Sequence, residues 1–282
     1  MKKILITGAN SYIGTSVEKW LMKEPDKYKA DTIDLKDGSW QEQDFSKYDV
    51  VFHVAGIVHI KETSANQNIY YKVNRDLAYE TAKKSKKEEV RQFIFLSTMS
   101  VYGIEKGVIT KDSFLNPRTA YGKSKLEAER LINELKNENF KIVILRPPMV
   151  YGRNCKGNYS RLANFAIRTP VFPKIDNKRS MIYIDNLSEF IKQVIDNESD
   201  GLFFPQNSEY VNTSEMVRLI AEVHGRRIIM IKLFNPILRV LNVSTINKVF
   251  GDLVYDMALS KYESKYRIKD FKSSIIQTEM EK

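Results

Sequence analysis

The chain has 282 residues, 43% hydrophobic and 28% charged, enough to bury a sizeable core as one large α/β domain or as a core domain with a smaller lobe. Its 45 Lys and Arg against 35 Asp and Glu give a formal net charge of +10, but no helix-turn-helix, zinc or RNP pattern accompanies the scattered lysines, so no nucleic-acid partner is expected; the excess reads as a solvated basic surface or as an attractor of an anionic substrate. The single cysteine, Cys155, excludes an intrachain disulfide, no apolar run approaches transmembrane length, and the short apolar opening is interrupted by Gly8 and Gly14, so a cytoplasmic protein without membrane insertion is expected.

In chain order, Ile4-Leu5-Ile6 reads as a buried parallel strand, continuous rather than alternating. A helix from about Tyr12 to Lys23 follows, stopped by Pro25, and Asp31 to Leu35 reads as the second strand. Asp49 to Val54 is the next strong strand. The gap before it is tight for a crossover and a full strand, since a crossover alone takes at least about ten residues. The third strand of a standard doubly wound sheet is therefore expected to be short or missing. A long helix over Thr63 to Lys87, a strand over Arg91 to Leu96, a helix from Tyr121 to about Asn137 and a strand over Lys141 to Arg146 continue the alternation. The pattern implies α/β class: a Rossmann-type doubly wound parallel sheet with helices on both faces.

Beyond Pro147-Pro148 the pattern loosens, with a short helix near Tyr159 to Ile167, a strand over Ser180 to Asp185, a helix over Asn186 to Asn197 and a strand over Gly201 to Phe204. Asn212-Thr213-Ser214-Glu215 starts another helix with hydroxyl caps and an acid in its first turn. Apolar clusters at Ile228 to Ile231 and Pro236-Ile237-Leu238 end the series. The expected division is a dinucleotide-binding domain of 1–146 and 181–205, interleaved with a smaller sugar-binding lobe of 147–180 and 206–282.

Three stretches carry chemistry. The first is Thr7-Gly8-Ala9-Asn10-Ser11-Tyr12-Ile13-Gly14, a strand-turn-helix. Gly8 permits the tight turn, Gly14 permits close packing of helix on strand, and the helix N-terminus offers unpaired N–H groups to a diphosphate. Ser11 stands where such loops often carry a middle glycine, and its hydroxyl can bind a phosphate oxygen itself. Asp34 can accept hydrogen bonds from an adenosine ribose and, by repelling a 2′-phosphate, favours NAD; Lys36 beside it leaves NADP open. The second is Ser97-Thr98-Met99-Ser100-Val101-Tyr102-Gly103, a hydroxyl-rich strand end. The third is Tyr121-Gly122-Lys123-Ser124-Lys125, which puts a phenol and an ammonium one helical turn apart. A phenol of ordinary pKa near 10 transfers protons slowly at neutral pH. A neighbouring Lys125 ammonium is expected to lower that pKa. A surface aromatic opening a helix is the plainer reading of Tyr121.

With Thr7-Gly8-x5-Gly14, Val54-Ala55-Gly56, Asn74, Ser97-Thr98, Tyr121-x3-Lys125 and Arg146-Pro147-Pro148-Met149-Val150-Tyr151-Gly152 in that order, the chain resembles the extended short-chain dehydrogenases, the NAD-dependent epimerase/dehydratase family. The resemblance implies Tyr121, Lys125 and Thr98 as catalytic residues, with Thr98 orienting the sugar oxygen and Lys125 also holding the nicotinamide ribose. It implies a cofactor site of Gly8, Asn10, Ser11, Tyr12, Ile13, Gly14, Asp34, Val54, Ala55, Gly56, Asn74 and Pro148, Asn74 supporting the catalytic helix. The segment between Asp34 and Asp49 is shorter than in typical epimerases.

Thr98-Met99-Ser100, Cys155-x-Gly157-Asn158-Tyr159 and Asn177-Lys178-Arg179-Ser180-x-Ile182-Tyr183-Ile184 look like capsule and O-antigen nucleotide-sugar enzymes. That likeness implies a UDP-4-keto-6-deoxy-N-acetylhexosamine 4-reductase, or a UDP-sugar 4-epimerase that retains its NAD. Ser100, Asn158, Arg179 and Phe172 are its substrate-side candidates; for Phe172, core packing is an equal reading. A non-catalytic NAD(P)-sensing protein is a distant alternative. The helices over Thr63–Lys87 and Tyr121–Asn137 resemble those that pair in family homodimers. Cys155 lacks an activating partner, and His53, His59 and His224 show no metal-ligand spacing, so no metal is expected.

Overall fold

A computed structural model describes residues 1–58, 60, 62–233, 247 and 249–280. His59 and the Pro236-Ile237-Leu238 cluster lie outside the described residues. The chain divides into two compact units. The first is 1–103, 114–147 and 187–205, and the second is 104–113, 148–186 and 206–282.

The first unit is built on six parallel strands in the order β2-β1-β3-β4-β6-β10. These are β1 (Lys2–Thr7), β2 (Tyr28–Ile33), β3 (Val50–His53), β4 (Gln92–Leu96), β6 (Lys141–Leu145) and β10 (Gly201–Phe203). The four central strands are apolar because both of their faces are covered. Along each strand successive side chains alternate between faces. Leu5, Val51, Phe93, Phe95, Ile142 and Ile144 thus meet Ala78, Ala82, Ala128 and Ile132 on one side. Those alanines and Ile132 come from α3 (Leu77–Lys87) and α4 (Ala120–Asn133). Helix α1 (Tyr12–Leu21) follows β1.

Edge strand β2 starts and ends earlier than the expected Asp31–Leu35. Its register on β1 pairs Lys2 with Tyr28 and Thr7 with Ile33, and the Gly8 and Ala9 amides then close on the Ile33 carbonyl at 2.9 and 3.0 Å. As expected, among the described residues the sheet has no strand beyond β2. The segment in its place makes a 3₁₀ turn at Ser39–Gln41 and drives Trp40, Phe45 and Tyr48 into the core. These three buried aromatics join Leu5, Leu35 and Val51 in the core on one face of the sheet.

The expected helix over Thr63–Lys87 is interrupted. It begins as α2 (Gln67–Tyr70), passes through a π-helical turn at Tyr71–Asp76, and continues as α3. A π turn inserts a residue and re-aims the side chains around it. Here that brings Asn74 to full burial. The catalytic-side helix α4 ends at Asn133 rather than Asn137, where an Asn137–Phe140 bridge turns the chain toward β6.

In the second unit three short parallel pairs replace a large sheet. They join β5 (Gly107–Ile109) to β12 (Leu253–Tyr255), β7 (Met149–Tyr151) to β9 (Met181–Tyr183), and β8 (Val171–Pro173) to β11 (Ile229–Ile231). These pairings explain why the observed division departs from 1–146/181–205 and 147–180/206–282. Pairing with β12 takes 104–113 out of the first unit, and pairing with β7 takes 181–186 out with it. The strand expected over Ser180–Asp185 is accordingly only β9, and α6 (Ile184–Asp196) starts two residues before Asn186. The helix expected near Tyr159 is α5 (Asn158–Arg168), and α7 (Thr213–Val223) begins as its capping pattern implied, Asn212 Oδ1 accepting from the Glu215 amide at 3.0 Å. Chain order gives the last described helix, Phe271–Met280, the label α8.

Candidate active site

The strand order changes direction between β1 and β3, which puts a crevice at the carboxyl ends of those strands. Gly8 leaves β1 with φ +98°, and a Cβ there would sit 2.8 Å from the Ala55 nitrogen. The Gly8 turn and the Val54-Ala55-Gly56 loop after β3 therefore touch backbone to backbone. A Cβ on Gly14 would lie 2.5 Å from Ser11 Oγ and 3.0 Å from Val54 Cγ1. Ser11 caps α1, accepting from the Gly14 amide at 3.2 Å, and that leaves its own O–H to donate. Tyr12 and Ile13 open the helix, and Asn10 holds φ +63° in the turn before it. First-turn amides lack intrahelical partners, so this loop suits a diphosphate.

Asp34 falls one residue past the end of β2. Its carboxylate accepts from the Lys36 amide at 3.1 Å and faces the Lys36 ammonium at 3.2 Å. The Lys36 contacts hold the carboxyl below its usual range. It is therefore an anion at neutral pH, with a cation next to it. Asp34→Ala is expected to move the ratio of kcat/KM for NAD over NADP about tenfold toward NADP, the size of one hydrogen bond to a charged group. Steady-state kinetics with both cofactors measure it, and an unchanged ratio removes Asp34 from the ribose site.

The catalytic candidates converge within the first unit. Thr119 Oγ1 caps α4 by accepting from the Gly122 amide at 3.1 Å, and Glu62 Oε2 accepts from the Ala120 amide at 2.9 Å. Tyr121 is half-buried and set edge-on to Tyr70 with ring centroids 6.5 Å apart. Thr98 Oγ1 accepts from the Ser100 amide at 3.1 Å and donates to Ser100 Oγ at 3.2 Å, so Ser100 aims Thr98. One turn on, the buried Lys125 ammonium donates to the Leu96 carbonyl at 2.9 Å and lies 4.5 Å from the centre of the Phe95 ring. Asn74 does support this helix: its amide donates to Ser124 Oγ at 3.3 Å and to the Ile57 carbonyl at 3.1 Å, and its oxygen accepts from the Ile57 amide at 2.9 Å.

The expected acidification of Tyr121 by Lys125 is absent. Burial pushes the phenol up to about 12, outweighing the lowering influence of the Thr98 hydroxyl. Burial also lowers the Lys125 ammonium to about 7, against the raising influence of Glu129. Both charged forms lose water in the same pocket, and Lys125 is directed at the Leu96 carbonyl. His53, expected to be a satisfied interior side chain, is buried on β3 with Nδ1 2.9 Å from Thr7 Oγ1, but its Nε2 has no hydrogen-bond partner among the described residues. Burial holds it neutral, near 3.

The substrate-side candidates lie in the second unit. Asn158 is the first residue of α5, after Gly157. Arg179 Nη1 donates to the Gly251 and Asn247 carbonyls at 2.9 and 3.3 Å, while Nε is buried with no partner among the described residues. Phe172 is 3% exposed and packed between Phe165 and Phe250, with centroids 5.6 and 5.7 Å away. That is the core-packing reading of Phe172, and it leaves no open ring face for a uracil. Pro148 begins the second unit's middle segment. Burial raises the Cys155 thiol, as suits an unreactive cysteine.

The sequence reading gave no role to Glu62, Tyr70, Glu129 or Arg146. Glu129 alone had a legible signal, four residues beyond Lys125 on the same helical face.

UDP-glucose 4-epimerase of Vibrio cholerae is 29% identical over 249 residues, 78% of this chain and 75% of its own length. A dTDP-4-dehydrorhamnose reductase from Clostridium acetobutylicum superposes with a TM-score of 0.74 at 20% identity, covering 98% of each chain. UDP-glucuronic acid 4-epimerase from Bacillus cereus, in complex with NAD, superposes with a TM-score of 0.74 at 22% identity over 99% of this chain and 97% of that one. The sequence model of the NAD dependent epimerase/dehydratase family matches residues 4–203. The Gly8 turn, the α1 N-terminus and Asp34 fit NAD or NADP, and the chain belongs to the NAD dependent epimerase/dehydratase family, as an NAD(P)-dependent sugar enzyme of the short-chain dehydrogenase type.

Proposed function

We propose that this chain reduces the C4 ketone of a UDP-4-keto-6-deoxy-N-acetylhexosamine for surface polysaccharide synthesis. The observation that carries this reading is the convergence of Thr98 after β4 with Tyr121 and Lys125 on α4, Lys125 being tied by its ammonium to the Leu96 carbonyl at 2.9 Å; burial keeps the Tyr121 phenol protonated. A phenol in that state is ready to give its proton to an alkoxide forming on C4. Thr98 holds the same sugar oxygen, and such positioning raises effective concentration. A bound reduced nicotinamide would supply the hydride, its diphosphate on the α1 N-terminus and its ribose within reach of Lys125. The test follows nicotinamide absorbance with the keto sugar. One cofactor consumed per sugar reduced supports the reading.

The likeness to UDP-glucose 4-epimerase of Vibrio cholerae favours a second reading, UDP-sugar 4-epimerase. It predicts interconversion of UDP-hexosamines with no net absorbance change. A non-catalytic NAD(P) sensor is disfavoured by the assembled Tyr121, Thr98 and Lys125.

The first unit would hold the dinucleotide and the second the UDP-sugar, with Arg179 on the diphosphate. Among the described residues the guanidinium is bonded to carbonyls, its buried Nε has no partner, and Asp252 acts on it only at longer range. Arg179→Met is expected to raise KM for the UDP-sugar about 30-fold with little change in kcat, the loss of one or two charge-assisted hydrogen bonds. An unchanged KM would remove Arg179 from the diphosphate site. The reading also includes a cytoplasmic homodimer pairing through α3 and α4, checked by light scattering; among the described residues no helix is long and apolar enough to cross a membrane.

A further inference from the structure

Glu129 follows Lys125 by four residues and Tyr121 by eight, so all three side chains leave α4 from one face, one per turn. Its carboxylate is almost fully buried, with 4% of the side chain exposed against 6% for its partner Arg146. Arg146 Nε donates to both carboxylate oxygens at 3.0 and 3.2 Å, and Nη2 donates to Oε2 at 2.5 Å. Ser97 Oγ donates to the other oxygen, Oε1. The guanidinium is held in turn. Its Nη1 donates to the Tyr102 hydroxyl at 3.0 Å, and its carbon lies 5.3 and 6.0 Å from the Tyr102 and Phe204 ring centres.

The consequence falls on Thr98. The residue before it is tied by its side chain to Glu129 and by its amide to the Leu145 carbonyl at 2.7 Å. The residue after it, Met99, donates its amide to the Pro147 carbonyl at 3.2 Å. The ends of β4 and β6 and the helix that carries Tyr121 thus meet at one buried ion pair. Such pairs are poor stabilisers, because apolar residues of similar volume usually hold a core as well. This pair lies on the α4 face that bears both reacting groups.

We propose that Glu129 and Arg146 are a positioning pair, which locks the Ser97-Thr98-Met99 segment to the ends of β4 and β6 and to the helix that carries Tyr121 and Lys125. The inference rests on the assignment of Tyr121, Thr98 and Lys125 as the reacting groups. The charged and titratable neighbours of Lys125 are Glu129 on its own helix, Arg146 at the end of β6 through Glu129, and His53 on β3, which is neutral. Among these charged neighbours Glu129 favours the ammonium, beside the Leu96 carbonyl that accepts from it and the Phe95 ring it faces. Without its charge, Arg146 would stand uncompensated and push the same way as burial.

Glu129→Gln keeps the shape and an acceptor for Ser97 while removing the charge. Two measurements read the result: the Lys125 titration by ¹³Cε NMR of the cofactor-free protein, and kcat/KM against pH. Both midpoints are expected to move down by about one pH unit from the wild-type value near 7, making the variant about tenfold slower at pH 8. Should this variant fail to fold, the double variant Glu129→Met with Arg146→Met gives an apolar pair of similar volume. It is expected to fold, to show a smaller downward movement because Arg146 is gone as well, and to lose a further factor of about ten in kcat at pH 6 as Thr98 loosens. A uniform fall in rate with unmoved Lys125 titration and pH limb overturns the proposal, as does a double variant with wild-type kcat. Tyr121→Phe, run in parallel, separates the two levels. Undiminished turnover in that variant would overturn the site assignment itself.

Discussion

Tyr121→Phe is expected to lower kcat about 10³-fold while dinucleotide affinity stays within about threefold, the span general acid catalysis supplies when its donor is removed. The phenol is the proposed proton donor, and Thr98 keeps its own bonds to Ser100, so deletion of one hydroxyl removes the proton without disturbing its surroundings. Phenylalanine keeps the ring and hence the edge contact with Tyr70. Thr119 and Glu62 go on capping α4, because they bond to backbone amides rather than to the Tyr121 side chain. Nicotinamide absorbance measures the rate, and quenching of protein fluorescence by added dinucleotide measures binding. Turnover within a few-fold of wild type would show that protonation comes from elsewhere.

Lys125→Met is expected to do two opposite things: cost about 10² to 10³ in rate, and stabilise the protein by about 2 kcal/mol near neutral pH, or about 4 °C in melting temperature for a chain of this size. The ammonium is buried, and burial lowers its pKa from 10.5 to about 7. An unfolded lysine holds its proton to about pH 10, so between roughly 7 and 10 the unfolded chain binds more protons and wild-type stability rises with pH. Methionine has no such term. Its advantage is therefore fully present below pH 7 and fades as pH approaches 10. Calorimetric scans at pH 6 and pH 10 read this directly, and an equal gain at both values would mean that Lys125 carries no buried charge. The same ammonium predicts the wild-type rate profile. Because kcat/KM reports groups on the free enzyme, it is expected to fall above about 7 as Lys125 loses its charge, while Tyr121 stays protonated to about 12.

The missing third strand shows how far length alone can reach. A strand and a crossover need a minimum of chain, and the stretch from Asp34 to Asp49 does not provide it. What fills the space was not legible, because Trp40, Phe45 and Tyr48 have no period that marks them as core. The helix over Thr63–Lys87 shows a different limit. Its apolar spacing reads as ordinary helix, yet a π turn occurs where buried Asn74 bonds to Ile57 and Ser124. Local propensity does not report a bond to a residue seventeen positions away. Two segments, 104–113 and 181–186, lie on the other side of the expected lobe division for the same reason. Residues 104–113 join the second unit through a pairing with β12, far along the chain.

By itself the sequence determined the parallel α/β sheet, the Gly8–Gly14 turn that suits a dinucleotide, and the one-turn spacing of Tyr121 and Lys125. Each of these depends on side-chain period or on backbone freedom within a few residues. Tertiary structure alone decided the protonation states, because desolvation depends on what surrounds a group. Tyr121 is made a weaker acid and Lys125 a weaker base than their spacing suggested. It also decided the company they keep. Glu129, Arg146, Ser97 and Thr98 come from three separate elements and share one site only because β4, β6 and α4 pack with their ends together.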